Sequence, residues 1–120
     1  MSPETRDPDA PPAPSSPAAR EAALATVRDY LERFFKVERD IAVSADEALL
    51  TVGPHWRERW KTAQAFRLVM REDFPPGTLK SLVDDHTSML APDDDHARET
   101  LHVIFTMSSL HGAVDHDELD

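Results

Sequence analysis

Beyond residue 16, every proline and glycine of this chain falls at one of five points: Pro17, Gly53-Pro54, Pro75-Pro76-Gly77, Pro92 and Gly112. These residues interrupt helices or close them. Between those points, apolar residues recur at helical spacing. Three glycines in 120 residues are also few for a sheet protein built on tight turns. The chain is therefore read as all-α, one compact bundle of about five short helices over residues 17–114. Its length allows one domain with a modest core.

Ser16 suits an N-cap and Pro17 a first helical position, so a helix is expected over 17–37. Its apolar stripe is Leu24, Val27, Leu31, Phe34 and Phe35, with Tyr30 on the flank. Residues 37–43 are ambiguous, because Ile41 and Val43 alternate as in a short strand. Ser44-Ala-Asp-Glu47 has the pattern of a capping box and opens a second helix that Gly53 closes. A third helix is expected over 55–73, with Trp56, Trp60, Ala63, Met70 and Phe74 on one face and Phe66 and Val69 beside them. Thr78 caps a fourth, with Leu79, Leu82, Val83, Met89 and Leu90 inward. The acids at 93–95 suit the start of a fifth. Ala97, Leu101, Val103, Ile104, Phe105, Met107 and Leu110 give it a wide apolar arc, as expected of a central helix.

Residues 1–16 hold five of the ten prolines and little to bury, which predicts a disordered, Pro-rich N-terminal tail. Residues 115–120 read as a frayed acidic tail. No apolar run approaches the roughly 20 residues that span a bilayer. No apolar leader precedes the domain, and cysteine is absent, so disulfides and thiolate metal sites are excluded. A soluble, cytoplasmic protein without a membrane partner is the expectation.

Charge is unevenly placed. The chain carries a formal net charge of −10, yet residues 54–71 hold Arg57, Arg59, Lys61, Arg67 and Arg71 against Glu58 alone. Both tryptophans lie in the same stretch. A basic aromatic helix set into an acidic protein needs an acidic counterpart, within the molecule or on a partner. Internal candidates are Asp84, Asp85 and the acids at 93–95. Trp and Arg are also the residue types that anchor protein interfaces. The expected partner-binding set is Trp56, Arg57, Arg59, Trp60, Lys61 and Arg67, facing a protein with an acidic or mixed surface or a second copy of this chain. Arg67 falls in the middle of the tryptophan face, where a guanidinium stacks on an indole or pairs with a carboxylate. Nucleic acid is disfavoured, because phosphate binding needs basic support that the neighbouring acidic segments lack.

Glu99 and His102 form an ExxH pair, which places both side chains on one helix face. Ferritin-like carboxylate proteins hold iron with such pairs, joined by carboxylates from other helices. A carboxylate–histidine metalloprotein holding iron or zinc is thus the alternative, with Glu32, Glu38, Glu72 and Asp73 as candidate partners. His86 is expected at the edge of the fourth helix's apolar face, within reach of Asp84 or Asp85. No glycine-rich phosphate loop, GxSxG or HExxH motif occurs. No complete catalytic set is visible, so a small non-enzymatic adaptor or regulatory domain is the leading expectation.

Overall fold

The computed structural model describes residues 16–112. The Pro-rich leader and the acidic tail of the sequence reading lie outside them, apart from Ser16. Five α-helices follow one another: α1 (Pro17–Phe34), α2 (Ile41–Val52), α3 (Trp56–Arg71), α4 (Thr78–His86) and α5 (Asp94–Met107). A 3-10 turn, Leu110–Gly112, closes the described chain. No strand occurs among the described residues.

The helices start where side chains supply partners for exposed backbone N–H groups. The Ser16 hydroxyl accepts from Ala19 N at 3.1 Å, with Pro17 at the first position as expected. α2 departs from expectation. It begins at Ile41, capped by the Asp40 carboxylate on Ala42 N at 2.8 Å. Ser44 is therefore inside the helix, and its buried hydroxyl accepts from Arg39 Nε at 2.8 Å instead of capping. The alternation at Ile41 and Val43 belongs to the first turn of this helix, not to a strand.

α4 is not capped by Thr78. Gly77 takes the N-cap position with φ 88°, a backbone that glycine adopts without strain. The carboxylate that satisfies this end comes from α5: Asp94 accepts from Gly77 N at 2.8 Å and from Lys80 N at 2.9 Å. Asp93 caps α5 itself, accepting from His96 N at 2.8 Å.

The core joins Val27 and Leu31 of α1, Ala48 and Val52 of α2, and Ala63, Phe66 and Val69 of α3. It continues through Leu79 and Val83 of α4 to Leu101 and Ile104 of α5. α1 lies mainly on α3, and α4 on α5. α5 touches α2, α3 and α4, the central place its arc suggested. That arc is narrower than expected, since Val103 and Met107 are exposed. Leu90 is 82% exposed, because α4 stops at His86 and the chain turns before reaching it.

Tyr30 is not on a flank but inside an aromatic lattice. Its ring lies 5.1 Å from Phe34 and 5.5 Å from Phe66, both edge-to-face, and Phe66 lies 6.1 Å from Phe105. Such contacts add to the area each ring buries. Phe66 thereby ties α1 to α5 through α3.

Candidate functional site

α3 presents its small and apolar residues, Thr62, Ala63, Ala65, Phe66 and Val69, to the core. At 100° per residue, this leaves Arg57, Trp60, Lys61 and Gln64 on the outward side. Arg57, Lys61 and Gln64 are exposed, and Trp60 is half-buried. The tryptophans thus border the core face and do not form its centre, because Phe66 and Val69 occupy that position.

The six expected binding residues separate into two groups. Arg59 and Arg67 turn toward the end of α5. Arg59 Nη2 donates to Ser109 O at 2.6 Å, and Arg67 Nη2 donates to His111 O at 3.2 Å. The Arg67 guanidinium also lies 5.5 Å from the Phe105 ring centroid. It does stack on an aromatic ring, but on phenylalanine and not on an indole. Both arginines thus place positive charge beside carbonyls that follow a helix C-terminus, where the helix dipole favours it. Of the acids named as internal counterparts, Asp84 pairs with Lys80 and accepts from Ala91 N at 2.7 Å, Asp93 accepts from His96 N and Asp94 from Gly77 N. At Asp85 it is the backbone carbonyl, not the carboxylate, that accepts from Lys36 Nζ at 3.3 Å.

The second group faces outward. Arg57 lies over the Trp56 ring at 5.2 Å, a cation–π contact at the surface. Lys61 borders a cleft of about 210 Å³ between α1 and α3, together with Asp29, Tyr30, Arg33 and Glu58. Glu58, the one acid of the stretch, is taken by Arg33 of α1 at 2.7 Å. Among the described residues, neither Arg57 nor Lys61 forms an ion pair. Arg71 is held by Glu72 at 3.2 Å.

Where α1, α3 and the end of α5 meet, Tyr30 Oη, Ser108 Oγ and Arg59 Nε are buried without a hydrogen-bond partner among the described residues. Burial pushes the Tyr30 phenol up to about 12, against a smaller opposing effect from the nearby Ser108 hydroxyl. Ser108 is 1% exposed, which closes it to any substrate. Beside it, Ser109 adopts φ 58°, a left-handed backbone that costs a non-glycine residue roughly 1–2 kcal/mol. α5 ends here rather than running on to Gly112, and the Ser109 carbonyl is directed at Arg59. Sequence reasoning missed this junction, since serine rarely takes that conformation.

The residues of the metal alternative do not come together as a site. Glu99 and His102 are both exposed on α5. Among the described residues, no group of three or more His, Asp or Glu side chains is placed to hold one ion. Glu72 is near Arg20 at 3.8 Å and Arg71, and Glu32 binds His86 Nδ1 at 2.6 Å. That last contact holds the Glu32 carboxyl below its usual range. The partner of His86 is therefore Glu32 of α1, and not Asp84 or Asp85.

No known protein family, curated protein or solved structure matches the chain. No helix among the described residues is long and apolar enough to cross a membrane.

Proposed function

We propose that this protein is a non-enzymatic interaction domain, an adaptor or regulator, that binds an acidic or mixed protein surface through the outward side of α3. One observation carries the reading. Arg57 and Lys61 stand exposed one turn apart on either side of Trp60, and no carboxylate among the described residues pairs with them. Trp56 and Trp60 supply rigid anchors, and the two cations supply orientation and attraction. Arg59 and Arg67 serve the site indirectly, by fixing α3 against the end of α5.

The division of labour selects the variant for the test. The charge reversal belongs at Arg57→Glu/Lys61→Glu, which leaves the Arg59 and Arg67 contacts intact. Full-length protein is immobilised, exposed to lysate of its source cell and washed at rising ionic strength, with circular dichroism to confirm the variant's fold. The expected result is a protein retained by the wild type, released by salt and absent from the variant. Retention that ignores salt, or equal retention by the folded variant, contradicts the reading, because exposed charge pairs weaken once screened.

A further inference from the structure

We propose that the outward side of α3 docks on the outward side of α2 of a second copy of this chain. The proposal rests on the interaction reading above and names the partner surface for it.

α2 carries apolar residues on two opposite sides. Ser44, Ala45, Ala48 and Val52 are buried, and at 100° per residue the opposite side holds Val43, Asp46, Glu47 and Leu50. Those four follow the spacing i, i+3, i+4, i+7, a stripe about 10 Å long. Leu50 is 78% exposed and Val43 52%, whereas Val103 and Met107 of α5 are 39% and 37% exposed. Asp46 and Glu47 lie between the two apolar residues, and α2 contains no lysine or arginine. Arg39 pairs with Glu47 at 2.9 Å, and Asp46 has no ion pair among the described residues.

The outward side of α3 repeats this spacing. Arg57, Trp60, Lys61 and Gln64 occupy i, i+3, i+4 and i+7. The two stripes therefore match in length and oppose in charge. Trp60 would cover exposed aliphatic surface at Val43 and Leu50, while Arg57 and Lys61 meet the acids between them. Within one molecule the stripes cannot meet, since each points away from the core. Two α2 stripes would set acid against acid, and two α3 stripes cation against cation. The other acidic surfaces fit less well. α1 and α4 expose no large apolar side chain, and on α5 Asp95 and Glu99 share their side with His102.

The test is sedimentation equilibrium of the purified full-length protein, at up to about 1 mM because a contact of this size is weak. The buffer holds about 0.15 M salt, whose Debye length of about 8 Å screens the repulsion between two copies of net charge −10 more than it screens close pairs. The average mass should rise with concentration. Arg57→Glu/Lys61→Glu and Asp46→Lys/Glu47→Lys, each checked for fold by circular dichroism, should stay monomeric alone. Mixed in equal amounts they should associate, because each then offers the surface that the other lacks. Leu50→Ser breaks no ion pair and should weaken self-association about tenfold. A wild type that stays monomeric overturns the proposal. So does a mixture that fails to associate, or a Leu50→Ser protein that associates as the wild type does. If the wild type is monomeric but a lysate protein is still retained through Arg57 and Lys61, the second copy is wrong and the interaction reading stands. Self-association unchanged by Arg57→Glu/Lys61→Glu removes α3 from the contact and overturns the proposal.

Discussion

At the α4–α5 end, Asp84, Asp93 and Asp94 each accept a backbone N–H as well as lying near a basic side chain. Along α3, Arg57, Arg59, Lys61 and Arg67 find carbonyls, a ring face or no ion-pair partner among the described residues, and only Arg71, at the helix end, has a carboxylate among them, that of its neighbour Glu72. The difference follows from what each charge can complete. A short carboxylate fits the unsatisfied N–H groups at a helix start, so acids placed there become part of local structure. An arginine or lysine reaches past its own helix, and its partner is decided by whatever the fold brings near. Acid here completes helix ends, whereas each base is matched, or left unmatched, by what the packed helices bring near.

The largest expected effect removes the element both regions share. Phe66→Ala empties the centre of the lattice linking Tyr30 and Phe105, and should cost about 3–5 kcal/mol in urea unfolding. A loss below about 1 kcal/mol would show that the two halves are held independently.

Next comes the acid limb. The Lys80 side chain and then the Ala91 N–H hold Asp84 below its usual 3.8, the His96 N–H and ring do the same for Asp93, and the Gly77 and Lys80 N–H groups for Asp94. Groups with depressed folded values stabilise above the unfolded value. That stability should disappear as pH falls through the folded values, below 3.8. Thermal melts across this window should show a steep decline that Asp94→Asn flattens. The Asp93 partner His96 runs the opposite way. Its hydrogen bond to Asp93 raises it above 6.5, so its contribution is full below that value and fades as pH rises through the folded one. A ring-proton titration of His96 midway below 6.5 would contradict this contact.

On the basic side, Arg59→Met removes a 2.6 Å bond to Ser109 O and should cost about 1.5–3 kcal/mol, measured by urea unfolding. Ser109→Gly relieves the left-handed backbone and should raise stability by about 1 kcal/mol. Smallest is Arg57→Glu/Lys61→Glu, expected within about 0.5 kcal/mol of wild type because both side chains are exposed. A large loss there would mean that the outward side of α3 is structural, and would end the contrast with Arg59.

Local sequence determined the helices of this protein. The breakers sit between elements, and Ser16, Pro17 and the acids before α5 mark starts that the chain uses. Helical spacing found Val27, Leu31, Phe66, Leu101 and Ile104, because one-sided burial leaves a periodic trace. Tertiary structure alone decided the partners of long and polar side chains. It sent Asp94 to the start of α4, His86 to Glu32, and Arg59 and Arg67 to the carbonyls after α5. It also exposed Leu90, Val103 and Met107. The physical reason is range. Periodicity and capping act within a few residues, whereas the reach of a guanidinium or a carboxylate crosses between helices, and its partner exists only once those helices have packed.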